Sequence, residues 1–351
     1  MTPAADDRGK RPSPPRGVSL SPGPLPDPGD LSRPRDPASA PQIPHGQTAR
    51  RLEWVHLPPV VRRLVEQRLG SRVARAESAG GGYSSGFASV LTGEDGSRIF
   101  VKAASKKAQA AAAAAYAEEA RKLRSLPLGL PVPRLLWVHQ DDLWVVLGLE
   151  YVDGRAATRP WRADQLGRCL DVLEALSSSL TPPPPTVKLR PLGSPEEFGE
   201  MTDAWEQVRA LTPGWPHLDE AAALAARCEQ ALQGNTLVHT DARDDNFLLG
   251  PSGAVLCDWN WPALGPAWAD TVLLLISAFG DGLDADALLA ERPLTKDADP
   301  DDVDTLLALV CGYFLLHRHD PPRTASPYLR VHQAWYADAT WAWLAHRRGW
   351  E

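Results

Sequence analysis

The stretch "LVHTDARDDNFLL", residues 237–249, sets Asp241, Asp244 and Asp245 within five positions, flanked by His239 and Asn246. Carboxylates this close repel one another unless a bound cation, a cationic partner or solvent neutralises them. A further carboxylate, Asp258, ends the apolar run "AVLC" that follows the turn "GPSG". Asn246 and Asp258 would then lie at adjacent strand ends. Their oxygens suit a Mg²⁺ ion that keeps waters and shares phosphate oxygens. Asp241, on the same loop, could accept a proton from a hydroxyl nucleophile beside that metal. Upstream, Lys102 closes the run "RIFVK", and Glu119 shares an inward helical stripe with Tyr116, Leu123 and Leu126. Glu118 points away from that stripe. A charge facing inward requires a cationic partner. A lysine held by a glutamate beside a glycine-rich turn can grip phosphates.

These residues need elements to hold them. "LEWVHLPPVVRRLVEQRLG" predicts an amphipathic helix closed by Gly70. "SRVARAES", "FASVLTG" and "RIFVKAAS", separated by the glycine cluster and by "EDG", predict antiparallel strands. "KKAQAAAAAAYAEEARKLRSL" is a strong helix former, followed by strands at "LPVPRLLWVH" and "LWVVLGLEYVDG". Beyond Gly154 the pattern turns helical. Leu166, Leu170, Leu173 and Leu176 form one face, "EAAALAARCEQAL" another, "TVLLLISAF" a buried helix, with two more near 302–317 and 326–347.

The chain has 351 residues, enough for two lobes, and a net charge of −7, which disfavours a general grip on nucleic acid or anionic membrane. Four scattered cysteines form no metal or disulfide pattern, and no run is long enough to span a membrane or serve as a signal peptide, so a cytoplasmic protein is expected. Residues 1–45 are dense in proline, glycine, serine and charge and are expected to be a disordered tail. The acidic stretch 281–304 carries nine carboxylates against two cationic side chains, a solvated face or an attraction for a polycationic ligand. Trp335, Trp341 and Trp343 of the last helix are expected in the core. Arg243 is expected to neutralise Asp244 and Asp245, His239 to brace the loop, and Asp270 to anchor it.

The order of glycine-rich loop, Lys102, Glu119, "LEYVDG", "HTDARDDN" and "CDWNWPALGPAWAD" resembles the aminoglycoside phosphotransferase and choline kinase-like family, relatives of the protein kinases, across about residues 50–350. The resemblance implies an α+β bilobal, protein-kinase-like fold. Its N-terminal nucleotide-binding lobe would span 46–152, with an antiparallel sheet plus helix. A mainly helical catalytic and substrate lobe would span 153–351. It further implies a small-molecule kinase transferring the γ-phosphoryl of ATP, with Mg²⁺, to a hydroxyl of an aminoglycoside-like, sugar or amino-alcohol acceptor. Asp241 would be the base, and Asn246 and Asp258 the metal ligands. Lys102 with Glu119 would hold the α- and β-phosphates, and Gly82 and Gly86 would belong to the phosphate loop. Backbone groups near Glu150 and Val152 would meet the adenine. Two departures stand out: Thr240 where many members carry glycine, and "AGGGYSSGFAS" without a clean GxGxxG. Rival readings are an inactive kinase-fold binding protein, a protein kinase and a metal-dependent hydrolase. The eleven residues between Asp258 and Asp270 are few for an activation loop, and the scattered histidines offer no HxH.

Overall fold

Strand alternation decides which side chains reach the cleft. Five strands, β1 (Val73–Ser78), β2 (Phe87–Gly93), β3 (Arg98–Ser105), β4 (Leu135–Gln140) and β5 (Trp144–Glu150), form an antiparallel sheet in the order β1-β2-β3-β5-β4. Helix α1 (Pro59–Leu69) begins with proline in its first turn and ends at Gly70, whose φ of 81° suits a residue without a Cβ. On one sheet face Ile99, Val101 and Ala103 of β3 pack with Leu57, Val61 and Val65. On the other, Ala104 packs with Ala112, Ala113, Tyr116 and Ala120 of α2 (Ala110–Ser125). Lys102 has the parity of Ala104, so the pleat turns it towards α2 and away from the α1 core. The computed structural model describes residues 25–39, 43–44 and 46–350.

The second lobe contains β6 (Arg155–Ala156), α3 (Ala163–Ser179), α4 (Pro195–Leu211), α5 (Leu218–Ala225), α6 (Cys228–Ala231) and β7 (Thr236–Val238). It continues through β8 (Phe247–Gly250), β9 (Gly253–Leu256), β10 (Ala263–Gly265), α7 (Ala269–Gly280), α8 (Ala285–Glu291), α9 (Pro300–His317) and α10 (Leu329–Arg348). Helix α9 is the hub, packed by α4, α5, α6, α7 and α10. The leucine face of α3 is buried as its spacing predicts, as are Trp341 and Trp343, while Trp335 packs at the core edge. The expected helix over "EAAALAARCEQAL" is broken into α5 and α6, and α4 and α8 are additional to the sequence reading. Strands β6, β8 and β9 form one small sheet, and β7 pairs with β10. No helix among the described residues is long and apolar enough to cross a membrane.

Part of the acidic stretch is neutralised by cations from elsewhere in the chain. Asp286 and Asp304 pair with Arg347, Asp301 with Arg348 at 2.7 Å, and Asp281 with Arg159 at 2.7 Å.

Of the segment 1–45 expected to be a solvated tail, residues 25–39 make contacts with the second lobe, while residues 1–24, 40–42 and 45 lie outside the described ones. Arg35 donates from Nε and Nη2 to Asp338 Oδ2 at 2.9 and 2.6 Å, Arg318 donates to Leu31 O at 2.7 Å, and Trp335 Nε1 to Pro37 O at 3.2 Å. Low apolar content argues against a core. It does not weigh a fully buried acid on α10 that needs a cation from elsewhere in the chain.

Candidate active site

The two small sheets place the loop chemistry. Phe247 faces Leu256 in the β8–β9 register, and Cys257 N donates to Asn246 O at 2.8 Å, so Asn246 and Asp258 stand at the same end of adjacent strands. Lys102 donates to both carboxylate oxygens of Glu119 at 2.8 Å and also bonds Asp258 Oδ1 from the other lobe. Burial disfavours the Lys102 charge, but Asp258 and Glu119 outweigh it and hold the ammonium above its ordinary pKa. Burial works to raise Asp258, and Lys102 reverses it, so that carboxyl lies below its ordinary value.

The loop after β7 is tied down before it is aimed. Asp270, buried at the start of α7, accepts from His239 N at 2.6 Å and Thr240 N at 2.8 Å, the anchoring role its position suggests. His239 Nε2 lies 2.9 Å from Cys257 O, and its Nδ1 accepts from Asp241 N at 3.3 Å. A carbonyl only accepts, so Nε2 donates to Cys257 O and the imidazole braces the loop. Thr240 and Asp258 have φ of 66° and 63°, left-handed conformations that cost a non-glycine residue about 1–3 kcal/mol. Thr240 Oγ1 donates to Trp261 O at 2.7 Å, which holds the threonine in that conformation.

Asp241 projects into the cleft. Asn246 Nδ2 donates to Asp241 O at 2.8 Å and to Oδ2 at 3.0 Å, while Arg243 Nε stands 2.8 Å from Oδ1. Arg243 therefore leans on Asp241 and, at 3.5 Å, on Asp245. The expected neutralisation of Asp244 falls instead to Arg159, at 3.3 Å. Burial pushes the Asp245 carboxyl up to about 7, against the pull of Arg243.

With its amide nitrogen spent on Asp241, Asn246 has its oxygen left for a cation. Asp258 supplies the anionic oxygen of a pair. Among the described residues no three His, Cys, Asp or Glu side chains are arranged to hold a metal by themselves. The donor set fits a Mg²⁺ completed by phosphate and water, and Asn246 and Asp258 would hold it.

Lys102, Glu119, Asp241, Asn246, Asp258, Gly82, Glu150 and Val152 all line one interlobe cleft of about 980 Å³. Its inner wall includes Ala88, Val90, Phe100, Leu149 and Leu248, an apolar slot of the kind a planar base fills. Val152 O accepts from Gly154 N at 3.0 Å, committing that carbonyl to the turn. The Glu150 side chain turns outward to Arg134 at 2.9 Å. Gly86 differs from the rest of the set. A Cβ there would land on the Tyr116 ring, so its glycine serves close packing behind the cleft. The sequence reading missed Arg51, Tyr83, Trp261, Tyr313, His317 and Gln333, which line the same cleft from distant segments. No local pattern marks them; only the fold collects them.

Residues 76–303, well over half of the chain, match the phosphotransferase enzyme family, APH. No curated protein matches the chain at a significant level. The fold is similar to a thermostable variant of the aminoglycoside phosphotransferase APH(4)-Ia, solved with AMP-PNP and hygromycin B (TM-score 0.59, 13% identity, 83% of this chain and 99% of that one). It is also similar to the spectinomycin phosphotransferase APH(9)-Ia, solved with ADP and spectinomycin (TM-score 0.51, 13% identity, 79% and 92%). At these identities the likeness is one of fold, an antiparallel N-terminal sheet joined to a helical second lobe. Taken with the family match across both lobes, this chain belongs to the phosphotransferase enzyme family and is a phosphotransferase of kinase-like fold.

Proposed function

We propose that the protein is a cytoplasmic small-molecule kinase that transfers the γ-phosphoryl group of ATP to a hydroxyl of an aminoglycoside-like, sugar or amino-alcohol acceptor. The observation that carries this reading is the convergence of Lys102, Glu119 and Asp258 from both lobes on the cleft that holds Asp241 and Asn246. Lys102 would grip the phosphates, with Glu119 fixing its ammonium. Mg²⁺, held by Asn246 and Asp258, would neutralise the charge of the transferring group. Asp241 accepts the hydroxyl proton as the new P–O bond forms and the bond to the ADP leaving group breaks. Four free cysteines, three of them buried, fit a reducing compartment.

The acceptor end is mixed in character. Trp261 is 58% exposed, and Tyr313, His317, Asp320, Arg323 and Gln333 face the same cleft. None of residues 281–304 lines it among the described residues, so the acidic stretch gives no support to attraction of a polycation into this site. An aromatic face with mixed donors and acceptors suits a polyhydroxylated ring. The test is incubation with Mg-ATP and a panel of aminoglycosides, sugars and amino alcohols, read by mass spectrometry. A phosphorylated product with the parent and none with Asp241→Asn supports the assignment. With peptides added to the panel, products confined to phosphorylated peptides would replace it with a protein kinase.

A further inference from the structure

The glycine-rich loop, Ala79–Gly86, is held by a segment that precedes the whole N-terminal sheet. Arg51 spreads its guanidinium across the loop. Nε donates to Ala79 O at 2.7 Å, Nη2 to Gly81 O at 2.8 Å, and Nη1 to Ser84 Oγ at 2.9 Å and Gly86 O at 3.0 Å. Neighbouring residues add to the hold. Ala49 N donates to Gly80 O at 3.0 Å and the buried Thr48 hydroxyl to Gly82 O at 2.7 Å. Ser326 Oγ bonds Tyr83 O, and Gln109 Nε2 donates to Ser85 O at 2.5 Å. Seven loop carbonyls, those of residues 79–83, 85 and 86, thus have a donor.

This arrangement bears on phosphate binding. A loop that receives a polyphosphate must keep its carbonyl oxygens off the anion and leave N–H groups and positive charge facing it. A glycine-rich sequence has little stiffness of its own to ensure that. Arg51 supplies both needs: a planar fork that fixes the carbonyls, and a cation on the cleft wall. A lysine could not replace it, because one ammonium cannot meet four acceptors spread over eight residues.

We propose that Arg51, which lies upstream of the segment matching the family, shapes the glycine-rich loop for the nucleotide's phosphates and is a positioning residue for phosphoryl transfer. The proposal rests on the nucleotide-binding reading above. Arg50 N also donates to Ala325 O at 2.8 Å, so the same strap fastens the loop to the second lobe. The Tyr83 ring lies 4.4 Å from that of His332 on α10.

The test compares Mg-ATP, Mg-ADP and adenosine binding by calorimetry in the parent, Arg51→Ala and Arg51→Lys. Losing charge-assisted hydrogen bonds should weaken Mg-ATP and Mg-ADP binding by about tenfold or more in both variants. Adenosine affinity should stay within about twofold, since the base slot is untouched. Added methylguanidinium should restore Mg-ATP binding to Arg51→Ala. Three outcomes overturn the proposal: unchanged or tighter Mg-ATP binding in Arg51→Ala, parent-like binding in Arg51→Lys, or adenosine weakened as much as ATP. The last would mark Arg51 as a fold determinant only. A parent that binds adenosine but discriminates against no variant sinks this proposal alone. A parent that binds no nucleotide sinks the functional reading with it.

Discussion

Lys102 on β3 of the first lobe bonds Asp258 beyond β9 of the second, while also holding Glu119 on α2. One ammonium thus bridges Glu119, which fixes it, and Asp258, the carboxylate proposed as the metal ligand. Nucleotide with Mg²⁺ would divide these charges, drawing Lys102 to phosphate and Asp258 to the cation. Mg-ATP should raise the thermal midpoint of the parent by mass action, and Asp258→Ala should lose the Mg²⁺-dependent part of that rise. Thermal scans with ATP, with and without Mg²⁺, decide it. An undiminished Mg²⁺ effect in the variant would remove Asp258 from the metal site.

Lys102→Ala leaves Glu119, 1% exposed, without its cation. Breaking a buried pair from one side costs about 3–5 kcal/mol. Lys102→Met combined with Glu119→Gln should recover much of that stability without recovering ATP affinity. Denaturant unfolding of both variants measures the first effect and calorimetry the second.

Asp241→Asn keeps the shape of the side chain but not its basicity. Turnover on an identified acceptor should fall roughly 10²–10⁴-fold, with nucleotide affinity nearly unchanged. The smaller loss is reasonable for a loose phosphoryl-transfer transition state, which demands little early proton removal. Steady-state kinetics beside a direct ATP titration separates the two quantities, and full turnover in the variant would exclude Asp241 as the base.

His332 on α10 sits among Tyr83, Tyr336 and Phe314, with Arg243 Nη1 3.2 Å from its Nε2. Burial, then Arg243 and Arg159, holds its pKa well below the ordinary 6.5. The native ring refuses a proton that the unfolded chain takes up below that pH. Its contribution to stability is therefore complete above about pH 6.5 and lost as pH falls, by up to about 1.4 kcal/mol per pH unit. His332→Gln stays neutral, so its stability should decline less steeply than the parent's between pH 6.5 and 5 in urea unfolding series. Parallel profiles would show that His332 does not titrate on unfolding.

Arg35→Ala should destabilise the protein by about 3 kcal/mol, because Asp338 is fully buried and, among the described residues, keeps only Arg318, at 3.7 Å, as a cationic neighbour. Burial already pushes the Asp338 carboxyl up, against the pull of Arg35 and Arg318. Adding Asp338→Asn to Arg35→Ala should return part of the loss, as chemical denaturation would show. No change in the single variant would mean that residues 25–39 contribute nothing to stability.

The sequence by itself determined the parts whose physics is local. Alternation in "RIFVKAAS" and the stripe through Tyr116 and Glu119 place Lys102 and Glu119 on facing surfaces of neighbouring elements. The hairpin "FLLGPSGAVLCD" puts Asn246 and Asp258 at one end of two strands, because a tight turn fixes the register. The tertiary structure decided what depends on long-range contact. Arg243 answers Asp241 rather than Asp244 because Arg159, 85 residues away, already holds Asp244. The tail joins the second lobe because Asp338, 303 residues from Arg35, is buried and Arg318 reaches it only at 3.7 Å. Arg51 reaches the glycine-rich loop because the strap doubles back beneath it, a path that composition and periodicity do not encode. Periodicity reports which way a side chain leaves its own element; which distant charge it meets is set by packing.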